Sequence, residues 1–391
     1  MKVEIKDIDH LGNGIAKEDK ITFIPKSVIG DILDISIVKE HKKFNEGRVD
    51  KVITPSQKRI KALCPYYDIC GGCNISNLSY NNQLEYKKKK VINIFKRYLN
   101  IDINPEIIPS IEEYKYRNKI TYHNNKKLGL VSIDNDIVEI DNCLLVSDKI
   151  NNLYKEILKE DTSLLDKLTI RECNNGLVLD IKGKLNIEQL KDYCISIYQN
   201  DKKVYEKESP YIKINDLKFL VSPKSFFQIN TNNISNLYNL ILEKGNLTKN
   251  DKVIDLYCGV GSITLYIANY VKEILGIEII KDAIIDAKEN AKLNNINNAE
   301  FKCGDVSSLI NDNLDGDIII VDPPRTGLDK HTKEVLNNSN KEKIIYVSCE
   351  PMTLVRDLKE LYNYNLESIT LVDMFPQTHH VECVIKLHRK K

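Results

Sequence analysis

Asp255-Leu-Tyr-Cys-Gly-Val-Gly-Ser-Ile-Thr264, residues 255–264, is the stretch that decides the fold. The apolar run Lys252–Leu256 before it reads as a buried strand, and Ser262–Val271 after it as a helix. Gly259 and Gly261 let the chain turn tightly between the two and approach a ligand without a Cβ in the way. Ligands of open α/β sheets sit beyond the carboxyl ends of the strands, where this turn lies. Glu278 falls just past the next predicted strand, Glu273–Ile277, where a carboxylate can accept hydrogen bonds from both hydroxyls of a ribose. The third glycine of a dinucleotide fingerprint is missing, and so is a phosphate-cradling loop ending in Gly-Lys. A nucleoside without phosphates, such as S-adenosylmethionine, fits this turn better, with Asp255, Gly259, Gly261 and Glu278 as its candidate contacts. An ordinary tight turn with a surface Glu is the plain alternative.

Outward from this turn the alternation continues. Helix is expected over Lys281–Asn294, near Lys330–Leu336 and over Thr353–Leu361; strand is expected over Glu300–Cys303, Asp317–Val321, Lys343–Val347, Leu366–Val372 and Cys383–Leu387. Such a pattern predicts an open, mostly parallel sheet covered on both faces. Asp322-Pro-Pro-Arg325 closes one strand, and its prolines stiffen the loop at the ligand edge. That position makes Asp322 a cofactor or substrate contact, with a turn or helix cap as the alternative.

Ile345-Tyr-Val-Ser-Cys349-Glu-Pro-Met-Thr353 brings a cysteine to the same edge. A half-buried structural thiol is the common fate of a lone Cys. Here the thiol stands at a strand-to-helix corner, where a helix N-terminus is expected to lower its pKa, and Pro351 suits the start of that helix. A thiolate there can add to carbon 6 of a uracil and make carbon 5 nucleophilic enough to take a methyl group. A base must then remove the carbon 5 proton so that the sulfur can leave. Met374-Phe-Pro-Gln-Thr-His-His-Val-Glu382 offers Glu382, with His379 and His380 as competitors and a solvated loop Glu as the alternative.

Residues 1–54 alternate short β-prone runs (Lys2–Ile5, Ile21–Ile24, Ile32–Val38, Gly47–Val52) with Gly and Pro turns, which predicts a small β-barrel of the kind that binds oligonucleotides. Next comes Cys64-Pro-Tyr-Tyr-Asp-Ile-Cys70-Gly-Gly-Cys73, in which Gly71 and Gly72 free the backbone to wrap three thiolates around one centre. Cys143 is a distant candidate for a fourth ligand. Zinc and an iron–sulfur cluster both take thiolates; a five-then-two spacing with a remote single Cys suits the cluster better.

A helix is expected over Asn81–Asn100. Residues 84–130 hold eleven Lys and Arg against five Asp and Glu, with Lys87–Lys90 unbroken, which reads as a solvated helix face or a phosphate-contacting patch. The order of the strand-like runs between 111 and 220 is not legible.

The whole chain has 391 residues and a net charge of +1, enough for two or three domains and not a uniformly basic nucleic-acid glue. With 42% apolar and 29% charged residues it is globular rather than disordered. No signal-peptide core and no run of about 18 apolar residues is present, so a cytoplasmic protein without membrane contact is expected. Ten cysteines in such a chain point to metal binding or catalysis rather than a disulfide scaffold.

Taken together, these motifs resemble the bacterial 23S ribosomal RNA uracil-5-methyltransferase family, within the wider RNA m5U methyltransferases. The likeness spans essentially the whole chain. It implies a TRAM-type OB-like RNA-binding domain at 1–56, a mixed central domain at 57–220 carrying a [4Fe-4S] cluster, and a Rossmann-like S-adenosylmethionine methyltransferase domain at 221–391. It implies Cys64, Cys70, Cys73 and Cys143 as cluster ligands. Ser225-Phe-Phe-Gln-Ile-Asn230 is similar to the family's motif before the catalytic fold, which makes Gln228 a cofactor contact; Tyr257, Glu278 and Asp322 would join it. Cys349 in Ser-Cys-Glu-Pro matches the nucleophile, and Glu382 in His-His-Val-Glu the general base.

The expected reaction is methylation of uridine carbon 5 in RNA by a monomer. The N-terminal barrel and the cysteine set favour 23S rRNA, and tRNA is the alternative. An exocyclic-amine methyltransferase would place an aromatic residue, not Arg325, after Asp-Pro-Pro, and a cytosine-5 enzyme would carry its Cys elsewhere. A redox-sensing or RNA-binding iron–sulfur protein is the rival of another class, and it would not need Cys349 and Glu382 at the sheet edge.

Overall fold

The computed structural model describes residues 1–223, 226–309, 316 and 318–390. Ser225 and Asp317, which belong to the expected motif and strand above, lie outside the described residues. The site rests on an eight-stranded sheet. Its order is Ala299–Cys303, Glu273–Glu278, Lys252–Leu256, Ile318–Val321, Lys343–Ser348, Glu382–Arg389, Tyr364–Val372 and Glu106–Ile108. The first five strands run parallel, and Glu382–Arg389 is antiparallel to both its neighbours. The chain winds outward one way from Lys252–Leu256 and then returns to its other side at Ile318–Val321. The switch point therefore lies between the turn after Leu256 and the loop after Val321, the place where ligands of such sheets bind.

Both faces of this sheet are covered, because its strands are apolar on both. Val253 packs into one core with Leu237, Tyr238 and Ile241 of the helix Ile234–Gly245 and with Ile263 and Leu265 of the helix Ser262–Ala268. Ile254 and Leu256 point the other way, into a core with Leu336, Leu354 and Val355. The helix Ile234–Gly245 was not expected, since its asparagines dilute the apolar period.

The helix at Tyr80–Leu99 is where expected, and it ends on Asn100 in the left-handed region with Lys96 and Arg97 in its last turn. Its packing differs from expectation. Val91, Ile94 and Phe95 enter the core beneath the catalytic sheet, and the strand Glu106–Ile108 that follows extends that sheet's edge. The unbroken basic run is therefore not a phosphate-facing patch as a whole. Lys87 and Lys90 lie at helical spacing on the buried face, Lys87 with no exposure, while Lys89 is exposed. Burying Val91, Ile94 and Phe95 stabilises by roughly 1.5–3 kcal/mol each, and the same rotation of the helix carries the two lysines inward. Their ammonium groups find partners, described below.

Residues 2–54 form a six-stranded sheet in the order Lys2–Glu4, Ile32–Glu40, Phe44–Thr54, Ile21–Ile24, Gly14–Lys17, Asp7–Ile8, around Val3, Ile5, Ala16, Ile24, Leu33 and Ile35. Seven strands between Lys119 and Glu206 make a third sheet, on which the helix Asp148–Ile157 packs Ile150, Leu153, Tyr154 and Ile157. The cysteine-bearing segment lies along this sheet: Cys70 bridges to Ser132, and the Gly71 amide donates to the Val131 carbonyl at 3.0 Å. Among the described residues no helix is long and apolar enough to cross a membrane.

Candidate active site

The turn after Leu256 holds Tyr257, Gly259 and Gly261 at φ of 63°, 54° and 79°. A left-handed tyrosine is uncommon outside strained functional turns. A Cβ at Gly259 would meet nothing within 4 Å, so the turn faces open space there. Glu278 leaves the end of its strand and spans the turn. Its Oε2 accepts from the Gly259 amide at 3.2 Å and its Oε1 from the Ile280 amide at 2.9 Å. Each oxygen keeps a lone pair for a further donor. Asp255 is fully buried and accepts from Thr264 Oγ1 at 2.5 Å on one oxygen; its Oδ1 has no partner among the described residues. Burial raises the Asp255 carboxyl to about 7. An orphaned buried carboxyl oxygen beside an open glycine turn, next to a carboxylate with spare lone pairs, fits a cationic nucleoside. Tyr257 is half-buried, with its hydroxyl 3.5 Å from Thr332 Oγ1.

Gln228 is buried, and its segment is pinned in place. Asn118 Nδ2 donates to the Gln228 carbonyl at 3.1 Å, and Asn230 Nδ2 donates to the Met374 carbonyl at 3.2 Å.

Cys349 and Glu382 come together across the sheet. Ser348 pairs with Cys383 in the antiparallel register, so one step further Cys349 falls opposite Glu382. Asp322 acts on both: its charge raises the Cys349 thiol and the Glu382 carboxyl. Burial, then Asp322, brings Glu382 to about 8; burial alone brings Asp322 to about 7. The thiol does not behave as the strand-to-helix corner predicted. Burial and the neighbouring Glu382 push it up to about 12. The helix Pro351–Glu360 does begin just beyond it, but Glu350 already caps that end, its carboxylate accepting from the Met352 amide at 3.3 Å. The positive end of the helix is spent on Glu350 rather than on the thiol.

Arg325 opposes the rise. Its guanidinium draws both Cys349 and Glu382 back down. Sequence reasoning used Arg325 only to reject amine chemistry and missed this role; its place after Asp322 on the same loop was the available signal. His379 and His380 are held neutral by burial and surrounding cations, at about 2 and 3.

The four cysteines of the sequence motif line one cavity of about 610 Å³ with Tyr66, Tyr67 and Arg117. Gly71 is required there by close approach, since a Cβ would meet the Val131 and Ser132 carbonyls at 3.0 and 3.1 Å. Burial raises Cys73 to about 12, and the charges of Cys143 and Cys70 add to it. Cys64 and Cys143 are raised too, first by burial and then by other thiols of the set. Thiols that oppose one another's ionisation need a cation among them to become thiolates together. Among the described residues, however, no three metal-ligating side chains stand close enough to share one ion.

A parallel α/β sheet with an open glycine turn and buried carboxylates at its switch point, and a cysteine and a carboxylate at its carboxyl edge, has the form of a group-transfer enzyme of the methyltransferase class. The family described as tRNA (uracil-5-)-methyltransferase matches residues 184–309 and 305–390. An uncharacterized RNA methyltransferase of Halalkalibacterium halodurans is 34% identical over 100% of this chain and 97% of its own. One of Staphylococcus aureus is 33% identical over 99% and 97%. Among solved structures, the Pyrococcus abyssi tRNA (uracil-54, C5)-methyltransferase in complex with S-adenosyl-L-homocysteine superposes with a TM-score of 0.83 at 29% identity, covering 99% of each chain. The chain belongs to the tRNA (uracil-5-)-methyltransferase family. An enzyme of RNA uracil methylation is thereby established as its class, and a redox module without an activity of its own is set aside.

Proposed function

We propose that this enzyme methylates carbon 5 of a uridine in 23S rRNA through a covalent adduct on Cys349. The observation that carries the proposal is that Cys349 and Glu382 flank the Ser348–Cys383 register pair at the sheet edge, near enough for the Glu382 charge to act on the thiol, under the shared influence of Asp322 and Arg325. S-adenosylmethionine supplies the methyl group. Asp255, Glu278, Tyr257, Gly259, Gly261, Gln228 and Asp322 would hold it; the orphaned Asp255 oxygen and the open Gly259 turn support this placement.

The Cys349 thiol loses its proton to solvent, a loss that the Arg325 guanidinium favours; its sulfur bonds to carbon 6, and the electron pair of the ring double bond moves toward the carbonyl oxygen. Carbon 5 then takes the methyl group by in-line displacement, the methyl–sulfur bond of the donor breaking with its electrons left on that sulfur. Glu382 removes the carbon 5 proton, the double bond re-forms, and sulfur leaves with its electrons. Glu382 suits this step better than His379 or His380. A base near the working pH holds the proton it takes, whereas imidazoles held at about 2 and 3 do not. The uridine must leave its stack to reach the sulfur.

Cys64, Cys70, Cys73 and Cys143 would hold a [4Fe-4S] cluster. Their common cavity and mutual opposition to ionisation support a cationic centre. No three of these side chains stand close enough here to share one ion, so the choice of a cluster over zinc rests on the five-then-two spacing with a remote fourth cysteine. The sheet of residues 2–54 would serve as an OB-like, TRAM-type RNA-binding domain at 1–56. The central domain would then span 57–220 and the catalytic domain 221–391.

A tRNA target is the second reading, and the Pyrococcus abyssi enzyme favours it. That tRNA methyltransferase aligns over 99% of both chains, so the N-terminal sheet does not by itself separate the two substrates. Labelled S-adenosylmethionine with separate rRNA and tRNA pools, followed by nucleoside analysis, decides between them. Label in 5-methyluridine of the rRNA pool alone is expected. In the same assay Cys349→Ala abolishes methylation while RNA binding persists, and Glu382→Gln accumulates an RNA adduct stable on denaturing gels. Undiminished activity of Cys349→Ala would sink the covalent mechanism.

A further inference from the structure

Residues 373–381, which deliver Glu382 to the site, form a loop whose carbonyls are held from outside. Asn233 Nδ2 donates to the Asp373 carbonyl at 3.1 Å, Asn230 Nδ2 to Met374, Lys87 Nζ to Phe375 at 3.0 Å, and the Tyr116 hydroxyl to Pro376 at 3.0 Å. The Asn74 amide donates to Gln377 at 3.1 Å, and Lys90 Nζ to His379 at 2.5 Å. Gln377 sits at φ 69°, a conformation that a side-chain-bearing residue keeps only when its surroundings impose it. Gln83 imposes it: its Oε1 accepts from the Gln377 amide at 2.9 Å and its Nε2 donates to Gln377 Oε1 at 3.0 Å.

Three of these groups, Gln83, Lys87 and Lys90, recur at helical spacing on one face of the helix Tyr80–Leu99. Lys87 is the central one. Its ammonium has no exposure and donates to Asp373 Oδ1 at 2.6 Å, and Asp373 is equally buried. The Phe375 amide donates to the same Asp373 oxygen, so one ion pair fixes both ends of the loop's first turn. A buried pair adds little net stability compared with an apolar pair of similar volume, whereas it does fix geometry where it serves a role. Nothing in the hydrophobic packing of this helix calls for an ammonium at position 87.

We infer that Lys87, through its buried pair with Asp373, is a positioning residue that sets Glu382 for removal of the carbon 5 proton. The inference rests on the proposed roles of Cys349 and Glu382 and adds a third residue that touches neither substrate nor cofactor. Its mark is selectivity for one step. Adduct formation depends on Cys349, which another strand carries; release of the adduct depends on Glu382.

The two steps are separable with two RNA transcripts. With S-adenosylmethionine present, RNA made with 5-fluorouridine reports adduct formation and methyl transfer, because the methylated carbon 5 then bears fluorine in place of the proton a base would take and the adduct stays. Ordinary uridine transcript with labelled S-adenosylmethionine reports release. Lys87→Met/Asp373→Asn removes the pair without stranding a buried charge. It is expected to trap fluorinated RNA at the wild-type rate and to release ordinary product about 10- to 100-fold more slowly, the cost of a small misplacement. Adduct then accumulates on denaturing gels as with Glu382→Gln. Equal slowing of both steps, or no slowing of either, overturns the inference. Should the double variant not fold, Gln83→Ala replaces it: slowed release with normal trapping supports the inference, and any other pattern overturns it. If the wild-type enzyme traps no fluorinated RNA, the covalent reading fails and takes the inference with it; trapping by wild type with unselective variants defeats the inference alone.

Discussion

At the scale of single residues, the site is a problem in shared charge. Cys349, Glu382 and Asp322 all resist ionisation because they are desolvated, the neighbouring carboxylates add to the rise of Cys349 and Glu382, and Arg325 is the cation that relieves those two. Arg325→Gln is therefore expected to raise the Cys349 thiol further. Each unit of that rise lowers the thiolate fraction about tenfold at fixed pH, so trapping of 5-fluorouridine RNA should slow by about that factor and recover as pH is raised. A loss of trapping that higher pH does not restore would show that Arg325 acts by other means. The sequence named Cys349 and Asp322 because each follows the end of a strand, and Glu382 because it stands at the start of the last strand, all at the same edge. It misjudged the direction of the thiol shift, since the local Glu350 cap was overlooked and the packing of Glu382 against the thiol arises from a contact between distant segments.

Elements were legible wherever period and punctuation agreed. The strand Lys252–Leu256 falls at its expected bounds, and the helix Pro351–Glu360 starts on its proline. The helix Tyr80–Leu99 was legible as a helix but not in its orientation, because four consecutive lysines blur its polar and apolar faces. The buried side is set by Val91, Ile94 and Phe95. Phe95→Ala should cost about 3–5 kcal/mol in urea unfolding, whereas Lys89→Ala on the exposed side should change stability by less than about 0.5 kcal/mol. Similar effects from the two substitutions would refute this orientation. The asparagine-rich helix Asp148–Ile157 and the strand Glu106–Ile108 went unseen for a related reason: the first has a thin apolar stripe, and the second is a three-residue edge that exists only by pairing with Tyr364–Val372.

For the molecule as a whole, buried ionisable groups set opposing pH limits on stability. His379 and His380 lie well below their ordinary value, so they are neutral when folded. Their contribution is complete above about 6.5, where unfolded imidazole is also neutral, and is lost as pH falls toward about 3. Glu382 is raised from 4.5 to about 8, so its contribution is complete below 4.5 and is lost as pH rises toward about 8. Thermal unfolding across pH should then show a flatter alkaline limb in Glu382→Gln and a flatter acid limb in His380→Gln. Parallel curves for wild type and both variants would contradict these burials.

The sequence alone determined the α/β sheet, its glycine turn, the residues at its carboxyl edge and the cysteine spacing. Each of these is written in local period, punctuation or motif, within a few residues of chain. Only the tertiary structure decided that Gln83, Lys87 and Lys90 hold the loop bearing Glu382, that four cysteines from two segments line one cavity, and that Arg325 faces the thiol. Those relations join residues up to nearly 300 positions apart, such as Gln83 and Gln377. They depend on which face of an element the core claims, which local pattern constrains but does not fix.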